Sequence, residues 1–237
     1  MAVKVGCCGF ALAQARYYAR FPVVEVQQTF YHPPELRTVE RWRAQAPAAF
    51  EFTVKAWQLI THEPSSPTYR RLRQPIPIAA RNRYGGFRLT AEVEAAWART
   101  REVARALKAR VILFQCPAAF TPTAEHRRRL RRFFEQMERD GFILVWEPRG
   151  NWTPEEIRAL CRELDLVHGG DPFQLPPDPG RIQYFRLHGR TGYRYRFTDA
   201  DLQELARICR REGTTYCLFN NLTMADDARR FQELLGA

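Results

Sequence analysis

The sequence predicts one closed (β/α)8 barrel of TIM type spanning residues 1–237. Three observations carry that prediction. Eight short runs rich in Val, Ile, Leu and Phe recur along the chain. Near-continuous hydrophobicity of this kind suits parallel strands buried on both faces. Amphipathic stretches lie between the runs, and strands alternating with helices imply right-handed βαβ crossovers. The chain length, 237 residues, is close to the roughly 250 of a one-domain barrel.

The expected strands are Val3–Cys8, Val23–Gln28, Phe50–Lys55, Val111–Cys116, Phe142–Glu147, Leu164–His168, Ile182–His188 and Thr215–Asn220. The expected helices are Pro34–Ala46, Thr90–Ala109, Thr123–Arg139, Thr153–Glu163, Thr198–Glu212 and Ala225–Leu235. Thr153-Pro-Glu-Glu pairs an N-cap hydroxyl with Pro at the first helical position, and Gly213 supplies a C-terminal stop. An open doubly wound sheet is the rival topology. It usually shows a glycine-rich phosphate turn after its first strand, which Gly6-Cys-Cys-Gly9 does not match. One connection is long: Ala56 to Thr90 carries Pro64, Pro67, Pro75, Pro77, Gly85 and Gly86. Leaving the C-terminal end of the third strand, it should cover the face where barrels keep their active sites.

Composition excludes other classes. With 45% hydrophobic and 27% charged residues the chain is globular and not disordered. No apolar run approaches the roughly 18 residues of a membrane span, and MAVKVGCCGF lacks the layout of a secretory signal. The expected location is the cytoplasm, with no membrane partner. Six cysteines without a C-x-x-C pair read as reduced, mostly buried thiols, Cys7 and Cys8 pointing to opposite faces of a strand.

The net charge of +11 favours anionic partners, a phosphate-bearing small molecule or nucleic acid, unless it only reflects a genome that favours arginine. The chain is arginine-rich: Lys4, Lys55 and Lys108 are its only lysines. A lysine kept where arginine is the rule marks a position that a guanidinium would not serve, because lysine is compact and can lose its proton.

In a barrel the strand ends converge. They supply Glu25, Gln27 and Tyr31; Lys55 and His62; Gln115; Glu147, Arg149 and Trp152; His188, Arg190, Tyr193 and Tyr195; and Asn220 with Asn221. Polar groups at the ends of apolar strands cost desolvation unless they are paired or functional. Each has a structural alternative: a Glu25–Lys55 or Glu147–Arg149 ion pair, a core histidine at His188, a helix cap at Asn220-Asn221, a surface His62. As a set they suggest anion binding. Arg70, Arg71, Arg73, Arg81, Arg83 and Arg88 alternate with Tyr69, Tyr84 and Phe87 in the long loop, and HGRTGYRYRF follows strand seven. Guanidiniums bind phosphate by two-pronged hydrogen bonds and aromatic rings offer stacking faces for bases. The run Arg127–Arg132 (RRRLRR) reads as a solvated helix face. No metal and no cofactor are expected, since Glu25, Glu147 and His188 are too few ligands and Lys55 among them would repel a cation.

Taken together, VGCCGF, VEVQQTFY at 24–31, TVERWRAQAPAAFEFTVKAWQLITH at 38–62, LFQCP at 113–117, VWEPRGNW at 145–152, YFRLHGRTGYRYRFTDADL at 184–202 and FNN at 219–221 resemble the YecE-like family, known as domain of unknown function 72. The resemblance implies a TIM-type barrel and assigns no reaction. Members of the family have been likened to barrel endonucleases acting on DNA, an analogy of fold. Its motifs fall on Glu25, Thr29, Tyr31, Lys55, His62, Gln115, Glu147, Arg149, Trp152, His188, Tyr193, Tyr195 and Asn220. Two departures stand out: Cys7-Cys8 and Phe10 replace the usual Thr-Ser and Trp of the first motif, and Leu222 replaces the histidine after Asn-Asn.

The function expected on these grounds is an enzyme that binds a phosphate-bearing or nucleic-acid-like ligand at the C-terminal face, a hydrolase or a catalyst of phosphoryl-linked chemistry. Glu25, Lys55, Glu147 and His188 are its expected catalytic residues: Lys55 and the loop arginines hold the anion, Glu147 or Glu25 is the base, and His188 is the acid or donor. Tyr31, His62, Gln115, Arg149, Trp152, Arg190, Tyr193, Tyr195, Asn220 and Asn221 are its expected substrate contacts. The alternatives are a non-catalytic nucleic-acid-binding module and a catalytically idle scaffold.

Overall fold

Eight strands close into a parallel barrel in sequence order: β1 (Ala2–Cys8), β2 (Val23–Val26), β3 (Glu51–Lys55), β4 (Val111–Gln115), β5 (Ile143–Glu147), β6 (Val167–Gly170), β7 (Ile182–Leu187) and β8 (Thr214–Phe219). β8 returns to β1 over six residue pairs, from Ala2 opposite Thr214 to Cys7 opposite Phe219. This is a computed structural model, and it describes residues 2–175, 181–209 and 213–236.

Nine helices are found among the described residues: α1 (Gln14–Arg20), α2 (Gln28–Tyr31), α3 (Leu36–Gln45), α4 (Gln58–Thr61), α5 (Ala91–Ala106), α6 (Ala124–Gln136), α7 (Pro154–Glu163), α8 (Asp199–Ile208) and α9 (Met224–Gly236). Four of them open on threonine. Thr90, Thr123, Thr153 and Thr198 each accept from the backbone N–H three residues on, satisfying a donor left over at the helix start. Glu156 and Asp201 complete capping boxes with Thr153 and Thr198. The expected helical residues Arg210–Glu212 lie outside the described residues.

The short helices α1, α2 and α4 are not among the expected helices, and β6 differs in its bounds. α1 has no long apolar stripe to announce it. Tyr17 anchors it, accepting from the Cys7 N–H at 2.7 Å and donating to the Val23 carbonyl at 2.9 Å, which ties β1 to β2. β6 begins later than expected, because Leu164 caps α7 and Asp165 makes a left-handed turn at φ 48°. The strand continues instead through Gly169, where a Cβ would come within 2.4 Å of the Val145 side chain. No larger residue fits that wall of the barrel.

The core has two layers, as alternation along each strand requires. Outward residues such as Cys7, Phe52, Phe114 and Phe185 pack under the helices. Inward residues Cys8, Val23, Leu113, Val145, Tyr184, Tyr216 and Leu218 fill the barrel itself. All six cysteines are buried, and Cys7 and Cys8 face opposite layers. At the N-terminal end, Lys4 pairs with Glu51, which also accepts from the Tyr216 hydroxyl at 2.8 Å. No described helix is long and apolar enough to cross a membrane.

Candidate functional site

Three residues of β7 and its end, Tyr184, Arg186 and His188, project inward by strand alternation and climb toward the C-terminal mouth. Arg186 is fully buried and holds the arrangement together. Its Nε donates to Glu25 Oε1 and Oε2 at 3.1 and 3.0 Å, its Nη2 to Glu25 Oε1 at 2.9 Å, and its Nη1 to Glu147 Oε2 at 2.7 Å. Glu25 also accepts from the Tyr184 hydroxyl at 2.8 Å and from Gln27 Nε2. Glu147 Oε1 accepts from Gln115 Nε2 at 2.9 Å and Arg149 Nε at 2.6 Å.

Above this layer lies a basin of about 700 Å³, lined by Gln27, Tyr31, Lys55, His62, Arg71, Gln115, Arg149, Arg186, His188, Tyr193 and Asn220, among others. The long loop forms one wall. It is folded through α4 and two short 3-10 turns, Pro67–Arg71 and Ile78–Arg83. Gly85, at φ +73°, lets the loop pack against β3's exit, since a Cβ there would meet the His62 carbonyl at 2.0 Å. Arg71 lies 3.5 Å from the centroid of the Tyr31 ring, a cation–π contact at the rim.

Lys55 is buried, and its ammonium sits 3.9 Å from the centroid of the Phe30 ring. That ammonium makes no hydrogen bond or ion pair among the described residues. Burial and the Arg186 charge outweigh the pull of Glu25 and Glu147, lowering its pKa to about 7. The structural alternative of a Glu25–Lys55 ion pair does not form, because Arg186 takes the carboxylate. His62 is lowered by burial and by Lys55 to about 3, and its Nδ1 bonds the Thr61 hydroxyl at 2.8 Å. His188 is lowered by burial and Arg186 to about 4. Both imidazoles are therefore neutral at pH 7.

This geometry changes the expected roles. Burial alone would raise the Glu147 carboxyl, but Arg186 and Arg149 override it and hold the group well below the usual carboxylate range. The oxygens of Glu25 and Glu147 are taken up by donors, so neither is placed to act as a general base. In neutral His188, Nδ1 donates to the Arg186 carbonyl at 2.9 Å and Nε2 accepts from Arg149 Nη2 at 2.9 Å. That leaves it no proton to give, contrary to its expected role as acid or donor.

The structure gathers Tyr31, Lys55, His62, Gln115, Arg149, His188, Tyr193 and Asn220 on the basin, with Glu25 and Glu147 beneath them. Four expected contacts face elsewhere. Trp152 is buried, donating to the Phe120 carbonyl at 2.7 Å and packing on Phe120 and Trp146. Arg190 and Tyr195 both reach Asp201 on α8, at 2.9 and 2.6 Å. Asn221 donates to the Tyr195 carbonyl, Thr223 and Asp227, fixing the start of α9. The loop aromatics also serve the fold: Phe87 is buried among Phe114, Phe120, Phe133 and Phe134, and Tyr69 donates to the His62 carbonyl at 2.7 Å. Arg88 pairs with Glu63, and Arg83 with Glu92. On α6, Arg127 and Arg131 reach Glu156 and Glu163 of α7, and Arg129 reaches Glu125, so the RRRLRR run is an ion-paired helix face.

Arg186 is the residue that reading the sequence missed. Its signal was present in IQYFRLH: a lone arginine inside an apolar strand, two residues before a histidine on the same face.

The barrel is related by fold or sequence to known proteins. The pattern of the family described as protein of unknown function DUF72 matches residues 12–237. The chain belongs to the DUF72 family. This DUF72 chain is 25% identical over 260 residues to the UPF0759 protein YunF of Bacillus subtilis strain 168, covering 92% of this chain and 85% of that one. A DUF72 family protein from Enterococcus faecalis superposes with a TM-score of 0.74 at 18% identity, covering 100% of this chain and 98% of the other. Endonuclease IV from Thermus thermophilus shares the fold at a TM-score of 0.56 and 10% identity, covering 99% of this chain and 98% of the other. Among the described residues no three His, Cys, Asp or Glu side chains converge as a ligand set. The two carboxylates at the mouth of this DUF72 barrel already have their oxygens on Arg186, Arg149, Tyr184, Gln27 and Gln115. The donor set does not fit a metal ion.

Proposed function

We propose that the basin binds a phosphate-bearing ligand, a nucleotide or a stretch of nucleic-acid backbone, and that the protein is an enzyme acting on it. The observation that carries this reading is the charge around the hollow. Lys55, Arg71, Arg149 and Arg186 surround it, while Glu25 and Glu147 lie below, both bonded to Arg186. Cations in excess, close to low-dielectric walls, attract and hold an anion. Tyr31 and Tyr193 at the rim offer faces on which a base can stack. Hydrolysis of such a ligand needs a base at neutral pH. With the carboxylates engaged, the group available is the Lys55 amine.

Calorimetry with inorganic phosphate, a nucleoside monophosphate and a short single-stranded oligonucleotide tests this reading. Arg149→Ala and Arg71→Ala should each weaken phosphate-bearing ligands by roughly tenfold, the range of one lost charge-assisted hydrogen bond. Unchanged affinity in both variants would refute it.

A second reading, a non-catalytic nucleic-acid-binding module, draws on Arg70, Arg73 and Arg81, which are exposed on the long loop beside the basin. The shared fold with endonuclease IV of T. thermophilus is consistent with it. It predicts oligonucleotide binding that falls steeply with salt, while a small-ligand enzyme shows no such binding.

A further inference from the structure

Lys55 has a setting that phosphate binding does not explain. An ammonium whose task is to hold an anion is best kept charged, with its neighbours arranged to keep it so. Lys55 instead stands at the inner edge of the basin against the Phe30 ring, with no carboxylate of its own, beside the buried Arg186 guanidinium. The two carboxylates near enough to sustain its charge are bonded to Arg186. The ring and the strand wall remove water from one side of the amine and the basin leaves the other side open. Lysines that form imines are activated in this way, by desolvation in an apolar setting next to another cation. In a chain with 34 arginines and three lysines, this is the inward position at the end of β3, where an arginine has no such chemistry.

We propose that Lys55 is a nucleophile that forms an imine with an aldehyde or ketone carbonyl, so that the basin takes a phosphate-bearing carbonyl compound. The proposal rests on the reading of the basin as the ligand site and adds a carbonyl to that ligand, with its phosphate on the rim arginines Arg71 and Arg149. The Lys55 nitrogen gives its lone pair to the carbonyl carbon, and the carbonyl π bond breaks onto oxygen. That oxygen collects the two protons shed by the lysine ammonium and leaves as water, so R–NH3+ and O=CHR′ become R–NH+=CHR′ and H2O. Nothing is oxidised or reduced. Solvent in the open basin carries the protons from nitrogen to oxygen, and the His62 imidazole, packed edge-on against the same Phe30 ring at 4.9 Å between centroids, lines that side.

The test is reductive trapping at pH 7 with cyanoborohydride, using glycolaldehyde phosphate and glycolaldehyde as probes, followed by peptide mapping of the full chain. Only two other lysine side chains compete. Lys108 is exposed and Lys4 is paired with Glu51. Lys55 should be labelled by glycolaldehyde phosphate at least about tenfold faster than either, since an amine with a pKa near 7 is about half unprotonated at pH 7, where an ordinary lysine is almost wholly charged. Lys55→Arg, which keeps the charge, should lose that label and keep the circular dichroism spectrum. Labelling of Lys55 no faster than of Lys108 overturns the proposal, and the measurement on the unaltered protein stands even if the variant fails to fold. The two probes separate the claims. Equal labelling by both supports the imine and refutes the phosphate reading. No labelling by either, with inorganic phosphate still bound in calorimetry, refutes the imine and leaves phosphate binding intact.

Discussion

Arg186 on β7 reaches across the barrel to Glu25 on β2 and grips it with three hydrogen bonds of 2.9 to 3.1 Å. The two strands are not neighbours; β8 and β1 lie between them on one side of the closed sheet. With its remaining nitrogen the same guanidinium holds Glu147 on β5. One side chain therefore joins three strands and sets the charge felt by Lys55 and His188.

That role predicts a large cost for its removal. Arg186→Met strands two buried carboxylates and should destabilise the fold by about 3–5 kcal/mol in urea denaturation. Adding Glu25→Gln and Glu147→Gln should recover much of the loss, because the uncompensated charge goes with them. An Arg186→Met variant as stable as the parent would show that Arg186 does not hold the three strands together.

The two histidines predict acid sensitivity. His62 and His188 have pKa values lowered to about 3 and about 4, below the roughly 6.5 of an unfolded chain. Between those values the unfolded state binds more protons, so their contribution to stability is complete above pH 6.5 and is lost as pH falls toward 4. The melting temperature should drop as pH falls from 6.5 to 4.5. His188→Gln should flatten that drop, and an identical slope in the variant would count against a neutral His188.

Lys55 acts on the opposite side of neutrality. Its pKa, lowered from 10.5 to about 7, means that holding its proton in the fold is unfavourable below pH 7 and that the penalty fades as pH rises from 7 toward 10.5. Lys55→Met should raise the melting temperature near pH 6 by about 3–6 °C, corresponding to roughly 1–2 kcal/mol once water in the basin is allowed for. The gain should shrink toward pH 9.5. A gain that does not change with pH would show that packing, not charge, is responsible.

Trp152, Arg190 and Tyr195 give the converse prediction. Trp152→Phe and Tyr195→Phe each remove one hydrogen bond, to the Phe120 carbonyl and to Asp201, and should cost about 1 kcal/mol of stability. Their affinity for phosphate-bearing ligands should match the parent's, since neither lines the basin. A tenfold loss of affinity in either would return that residue to the site.

The barrel was legible in the chain because buried parallel strands announce themselves by composition. Val111–Gln115 and Ile143–Glu147 need no tertiary information to be read as strands. Strand ends then pointed to Lys55, His62, Gln115, Arg149, His188 and Asn220, which the fold brings to one face. What could not be read was the direction of side chains beyond the strands. Tyr195 lies only two residues from Tyr193, yet one reaches Asp201 and the other lines the basin. Trp152 follows Glu147 closely, but its ring belongs to the core under the helices. Arg186 is not marked by a strand end, since its charge is hidden inside the apolar run Ile182–Leu187. The ion pairs of α6 with α7 likewise depend on how two helices pack, which their separate sequences do not state.

An anomalous difference map from a crystal soaked in tungstate, a heavy tetrahedral mimic of phosphate, decides whether the basin receives a phosphate group. The strongest peak is expected inside the basin, within reach of Lys55, Arg71 and Arg149, and is lost in Arg149→Ala crystals. Tungstate bound only along α6 or at other outer arginines, with the basin empty, would contradict phosphate binding there.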